Sequence, residues 1–317
     1  MKSPPYLVSF FDKEDLKKAL SEETCASDGI EIERLIENGL PPVTSLKVLS
    51  VLFSFSTGFA VSITKRSDRH YRKFKIKNGK KVRTITAPKA GLKVVQKWLS
   101  VHLGKLYNHK DVYGFIPGKS TKDAAVPHCS SLTVYSTDII DFFQSISYQH
   151  VVNSLVNIGY TAKQAGIIAS LCCYRGYLAQ GSPASPVISN MVLSFFDDEI
   201  SGYCTEHGLR YTRYADDIVI SSTRILSQHE IDDIKSKVRS QLEKCNLMMS
   251  EKKEKVIYAP KRMKVYGLIV NGNVPRLTKG YRNRIRAFMH LKNRSLIKIE
   301  DTKKIEGHIN YSLFIEK

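Results

Sequence analysis

The chain has 317 residues, enough for two or three lobes around more than one core. Its 49 lysines and arginines against 30 acids leave a net charge of +19 and a pI near 9.6, which points to a phosphate-bearing partner, nucleic acid above all, and away from a cationic one. Six cysteines (Cys25, Cys129, Cys172, Cys173, Cys204, Cys245) form no C-x-x-C pair and so support neither a zinc site nor a disulfide framework, and the longest apolar stretches, 48–55 and 167–173, are too short to span a bilayer; no membrane partner is expected, and the expected compartment is the cytoplasm.

Residues 1–60 hold 6 basic and 9 acidic side chains, so everything after them carries +22. Within them, 12–38 reads as a helix, with acidic first turns and apolar Leu16, Leu20, Ile32, Leu35 and Ile36 before the breaker Gly39-Leu40-Pro41-Pro42. From 71 to 85 the alternation around Lys77-Asn78-Gly79-Lys80 predicts a β-hairpin, because Asn-Gly readily supplies the positive φ such turns need. Lys73, Lys75, Lys81 and Arg83 would line it. They belong to a run, 65–83, with ten Lys/Arg against one Asp; a second run, 261–317, has fourteen against four. One such run is as consistent with a solvated face. Two runs flanking a catalytic-looking centre favour a nucleic-acid channel.

Residues 92–106 read as a helix, 133–139 and 209–222 as strands, and 148–158, 161–173, 186–201 and 228–245 as helices, an irregular alternation typical of an α+β fold. Near the end Tyr281, Ile285, Phe288 and Met289 share one helical face while Arg282, Arg284 and Arg286 fall elsewhere around it.

Three carboxylates carry the chemistry. Asp216 and Asp217 sit between two strand-like segments, at the tip of a hairpin, where adjacent Asp residues alone suit an ordinary solvated turn. Asp138 ends another apolar strand and is followed by Asp141-Phe142-Phe143. If the two strand systems pair, the three converge. Packed carboxylates raise one another's pKa values, a conflict that divalent cations with hard oxygen preference remove, so the constellation implies Mg²⁺. Two such ions ~4 Å apart can activate an attacking hydroxyl and stabilise a leaving oxygen, which is nucleotidyl transfer. Between the acidic segments, Gln180-Gly181-Ser182-Pro183-Ala184-Ser185-Pro186 offers a platform for a nucleotide and its template base.

The order Asp138-Ile139-Ile140-Asp141-Phe142-Phe143, then 180–186, then Tyr214-Ala215-Asp216-Asp217 resembles the palm of reverse transcriptases, specifically the bacterial retron type. The resemblance reaches from about 71 to 268: Val82-Arg83-Thr84-Ile85 with Pro88, Leu92-Lys93 and Gln96 is similar to the fingers segment, and Val265-Tyr266-Gly267-Leu268 to the primer grip. It implies a right-hand polymerase fold: an N-terminal helical element (1–60), fingers (61–131 and 145–180), a palm of antiparallel sheet backed by helices (132–144 and 181–262), and a primer grip with a basic thumb (263–317). Retron enzymes typically carry Val-Thr-Gly where this chain has Val265-Tyr266-Gly267, and Asn-Ala-x-x-His where it has Ala124-Ala125-Val126-Pro127-His128. His128 is the retained part, though a lone histidine is more often a satisfied structural residue.

The resemblance further implies that Asp138, Asp216 and Asp217, helped by the Ile139 carbonyl, ligate two Mg²⁺ during catalysis. Arg83 would bind the incoming triphosphate, Gln180 and Asp141 would belong to the nucleotide site, and Phe143 would pack against the sugar so that a 2′-OH clashes, selecting dNTPs. Lys253 would stand near the leaving pyrophosphate, with Lys252 and Lys255 as alternatives. Val265, Tyr266 and Gly267 would grip the primer, and Lys73, Lys75, Arg282, Arg284 and Arg286 would contact RNA. The implied function is an RNA-directed DNA polymerase that copies its own structured noncoding RNA, primed from an internal guanosine 2′-OH, into branched RNA–DNA msDNA for antiphage defence beside an effector or toxin. A host RNase H would trim the template, since no RNase H, maturase or endonuclease domain is expected at this length. The alternatives are a diversity-generating, intron-derived or abortive-infection reverse transcriptase, or an RNA-binding scaffold restraining an effector.

Overall fold

The computed structural model describes residues 26–78, 81–294 and 299–316. The part of the expected 12–38 helix before residue 26, and the Gly79-Lys80 tip of the first hairpin, lie outside them. In chain order the strands are β1 (Tyr71–Asn78), β2 (Lys81–Pro88), β3 (Thr133–Asp138), β4 (Cys173–Tyr174), β5 (Tyr177–Leu178), β6 (Arg210–Tyr214), β7 (Asp217–Ser222), β8 (Lys255–Tyr258), β9 (Lys264–Val265), β10 (Leu268–Ile269) and β11 (Arg276–Leu277). The chain divides into two compact units. The first holds the described residues up to His109 with Ile140–Phe196 and Glu243–Leu247; the second holds Lys110–Ile139, Asp197–Leu242 and the described residues from Met248 on.

The first unit is mainly helical. Ser45 and Ser56 cap helices Leu46–Phe53 and Thr57–Lys65, accepting from the Val48 and Phe59 N–H groups. Most of the apolar stretch 48–55, too short for a membrane, lies in the first of these two helices, with Val48, Leu49 and Leu52 buried. Among the described residues no single helix is long and apolar enough to cross a membrane; these two pass such a test only together, and they are bent by 116°. Helices Tyr148–Asn157 and Ala162–Cys172 each begin with a capping box, Ser147 with His150 and Thr161 with Gln164. The expected single helix over 186–201 is two, Ser185–Val192 and Ser194–Glu206, broken at Leu193. β1 and β2 form the anticipated antiparallel hairpin, Tyr71 opposite Pro88.

The second unit is built on an antiparallel sheet in the order β6-β7-β3-β8. β3 and β7 are buried along almost their whole length, which is why they read as apolar runs rather than as alternating ones. Helix Gln228–Lys244 buries Ile231, Ile234, Val238 and Leu242 at helical spacing. β9, β10 and β11 make a second small sheet whose Val265, Leu268 and Leu277 join Val134, Val219 and Ile315 in one apolar cluster. Helix Lys279–Asn293 packs on Ile299–Glu316, a helix the sequence reading did not anticipate, through Tyr281 against His308 and Tyr311. Of the expected apolar face only Ile285 is buried, Tyr281 and Phe288 are half-buried, and Met289 is exposed.

One buried polar group ties the first unit together. Gln96 is fully buried; it donates to the Tyr71 hydroxyl at 2.6 Å and to the Leu171 carbonyl at 2.7 Å, and accepts from Ser182 Oγ at 2.7 Å. Gln96→Leu is expected to lower stability by about 1–3 kcal/mol for each partner it leaves unsatisfied, read as a fall in the urea midpoint.

Candidate active site

Register decides which side chains meet. β3 and β7 pair with Asp138 opposite Asp217, and β6 and β7 pair with Tyr214 opposite Asp217, so Ala215 and Asp216 form a two-residue hairpin loop. The Ile139 N–H donates to the Asp216 carbonyl at 3.1 Å, holding that loop against the end of β3. A slip of one residue would turn Asp138 to the opposite face. Three carboxylates therefore stand at one end of the sheet.

Their electrostatics follow from that crowding. Asp138 is 2% exposed, and its Oδ1 has no hydrogen-bond partner among the described residues. Its Oδ2 accepts from Lys253 Nζ, and that hydrogen bond is the main cause of the raised lysine pKa. The Asp217 carboxyl is pushed up to about 6, by desolvation first and then by Asp216 and Asp138, with Lys253 acting in the opposite sense. Asp217 stays open to solvent on its outer side, so crowding by like charges is the more durable of these causes. A cavity of about 470 Å³ lies alongside, lined among others by Asp138, Asp217, Lys253, Lys255, Tyr266 and Gly267. Among the described residues no three acidic, histidine or cysteine side chains converge closely enough to chelate an ion by themselves.

The hairpin loop is held by groups the sequence reading missed. Ala215 has φ +58°, although a two-residue loop of this kind favours glycine there, and such a backbone costs of order 1–3 kcal/mol. Arg213, fully buried, donates from Nη1 to the Ala215 carbonyl at 2.9 Å. Its Nε and Nη2 bind the two oxygens of buried Asp197 at 2.7 and 2.6 Å, and the Tyr211 hydroxyl adds a bond to Asp197 at 2.7 Å. On the other side a Cβ on Gly114 would lie 2.2 Å from the Ala215 nitrogen, so only glycine allows that approach. The one available signal was a second arginine, Arg213, inside an otherwise strand-like segment; nothing marked Asp197 or Gly114.

The irregular motifs are joined by hydrogen bonds. His128 is fully buried between Ser221 Oγ (2.7 Å) and Thr212 Oγ1 (2.6 Å), and desolvation, then Arg210, pushes its pKa down to about 3, so it is a neutral, satisfied core residue. Thr212 in turn meets the hydroxyl of Tyr266, which also donates to the Thr212 carbonyl at 2.9 Å. The tyrosine that replaces threonine in the Val-x-Gly triplet thus anchors on the strand that carries the hairpin loop.

Asp138, Ile139, Asp216, Asp217, Lys253, Val265, Tyr266 and Gly267 all lie in the second unit, as do the exposed Arg282, Arg284 and Arg286. Arg83, Asp141, Phe143, Gln180, Lys73 and Lys75 lie in the first. There the Gln180 carbonyl accepts from the Thr86 N–H at 2.8 Å, and a Cβ on Gly181 (φ +127°) would lie 2.7 Å from Ile85, so the 180–186 loop is laid on the strand that carries Arg83. Phe142 is buried whereas Phe143 is half-buried, and Asp141 and Arg83 are exposed.

The family described as reverse transcriptase (RNA-dependent DNA polymerase) matches residues 75–270. The chain is 30% identical over 261 residues to the retron Ec86 reverse transcriptase of Escherichia coli, covering 81% of each. It is 27% identical over 301 residues to the retron Mx65 reverse transcriptase of Myxococcus xanthus, covering 87% of this chain and 69% of that one. Among solved structures it is similar in fold to an apo telomerase from Candida tropicalis, with a TM-score of 0.50 and 10% identity over 67% of this chain, which spans about half (48%) of that telomerase chain.

The buried ion pair gives a test. Asp197→Asn leaves the Arg213 guanidinium uncompensated and is expected to lower stability by roughly 3–5 kcal/mol in urea unfolding. The double variant Asp197→Leu with Arg213→Met is expected to regain part of that stability but not DNA synthesis, because the Ala215 carbonyl has lost its donor.

Proposed function

From the chain's membership of the reverse transcriptase family, as a bacterial retron-type RNA-directed DNA polymerase, we propose that it copies its own structured noncoding RNA from an internal guanosine 2′-OH into branched RNA–DNA msDNA, in the service of antiphage defence beside an effector protein. The observation that supports the chemistry best is the β3–β7 register, which puts Asp138 opposite Asp217 with Asp216 in the adjoining loop.

The family uses divalent metal ions, and the residues present fit them: a buried carboxylate oxygen without a hydrogen-bond partner among the described residues, and a second carboxyl raised by desolvation and by like charge. Asp138, Asp216 and Asp217, with the Ile139 carbonyl, would hold two Mg²⁺. When bound, these supply activation of the attacking hydroxyl and stabilisation of the leaving oxygen. Lys253 Nζ carries its proton at neutral pH and would turn from Asp138 Oδ2 toward the leaving pyrophosphate. Arg83 would take the triphosphate by charge-assisted hydrogen bonds, with Gln180 and Asp141 beside it. The half-exposed ring of Phe143 would stand against the sugar and reject a 2′-OH. Val265, Tyr266 and Gly267 would hold the primer end. Lys73, Lys75, Arg282, Arg284 and Arg286, all exposed, would bind RNA phosphates and 2′-hydroxyls.

The test is cellular. The chain is expressed with its flanking locus, and small nucleic acids are extracted from wild type and from Asp216→Asn. Wild type is expected to yield a discrete DNA joined to RNA through a 2′ branch, and the variant none. The same DNA from both would end the proposal.

A further inference from the structure

The β4–β5 hairpin of the first unit has a tip that its sequence makes needlessly expensive. Tyr174 pairs with Tyr177, so Arg175 and Gly176 are the two loop residues, with φ +51° and +85°. Both positive values mark the turn in which Asn-Gly is preferred. Arginine in that backbone is uncommon, and an outlier of this kind is a reason to look for function.

What holds Arg175 there is a neighbouring basic segment. The Asp68 carboxylate accepts the Arg175 N–H at 3.0 Å, and the Gly176 carbonyl accepts from Tyr148 at 2.7 Å. Asp68 sits in the short 3₁₀ turn Ser67–His70, flanked by exposed Lys65, Arg66 and Arg69. These side chains and the tip of the hairpin surround a cavity of about 440 Å³, every lining residue of which belongs to this unit. The Arg175 side chain is 69% exposed and only 3.9 Å from Asp68, a surface pair too weak to account for the arginine. Its guanidinium also lies 5.4 Å from the centre of the Tyr174 ring, which Lys73 approaches at 4.9 Å. Among the described residues Arg66 and Arg69 have no acidic partner.

We propose that this cavity is a phosphate clamp: Arg66, Arg69 and Arg175, set around the Asp68 anchor, bind the phosphodiester backbone of a nucleic-acid stem through residues to which no catalytic or nucleotide-binding part has been given. The backbone is that of the structured RNA or of its DNA product. The site rests on the reading of the chain as an enzyme of structured RNA and gives that reading a grip on nucleic acid that needs no primer end.

The turn supplies a clean variant. Arg175→Gly removes the charge and favours the backbone, so the protein is expected to melt no lower than wild type. Binding is measured by fluorescence anisotropy over a series of NaCl concentrations, on a closed RNA hairpin of stated sequence without a primer end and on its DNA counterpart. The slope of log K against log salt is expected to fall by roughly 0.9 in Arg175→Gly and by about 2–3 in the triple variant with Arg66→Gln and Arg69→Gln. The arm in which it falls identifies RNA or DNA as the occupant. Wild-type slope and affinity in both variants, on both hairpins, would overturn the clamp. Copying of oligo(dT)-primed poly(rA) by the wild type is read in parallel, and its absence would count against the polymerase reading and not against the clamp.

Discussion

The antiparallel register of β3 against β7 is the constraint on which the rest of the site depends. It sets Asp138, buried, directly opposite Asp217, which is exposed, at the end of two otherwise buried strands, so that two carboxylates crowd one position. Left alone that arrangement is unfavourable, and the structure answers it locally. Lys253 covers one oxygen of Asp138, Asp217 shifts its pKa upward, and the other Asp138 oxygen has no hydrogen-bond partner among the described residues. A divalent cation resolves the same conflict more completely, because it offers charge to several oxygens at once.

Holding the loop is a separate task from supplying its charges. Ala215 takes a backbone that glycine would take more readily, and it is kept there by the Arg213 guanidinium on one side and the backbone of Gly114 on the other. The guanidinium is in turn fixed by Asp197, so a fully buried ion pair supports the loop that carries Asp216. Breaking either partner leaves an uncompensated charge, which is why the pair is sensitive even though burying it gains little stability by itself.

Much of this was legible in the sequence because it is local. The hairpin around Asp216-Asp217, the strand ending at Asp138 and the basic β1–β2 hairpin follow from alternation and turn residues within a few positions of one another. The relations that were not legible join distant positions through burial: Asp197 with Arg213, Gly114 with Ala215, His128 with Tyr266 by way of Thr212. Periodicity also says which residues share a face but not whether that face is covered, so Met289 follows the helical pattern and still faces solvent. The break at Leu193 escaped for a similar reason, since apolar residues continue through it and no glycine or proline marks the position.

The proposed divalent-cation site at Asp138, Asp216 and Asp217 has Lys253 standing in for part of the cation's charge. Equilibrium titration with Mn²⁺ followed by electron paramagnetic resonance tests it without recourse to activity. Asp138→Asn is expected to weaken binding by roughly tenfold or more, and Lys253→Met to tighten it, because the competing ammonium is gone. Mn²⁺ binding that is the same in wild type and both variants would contradict the account.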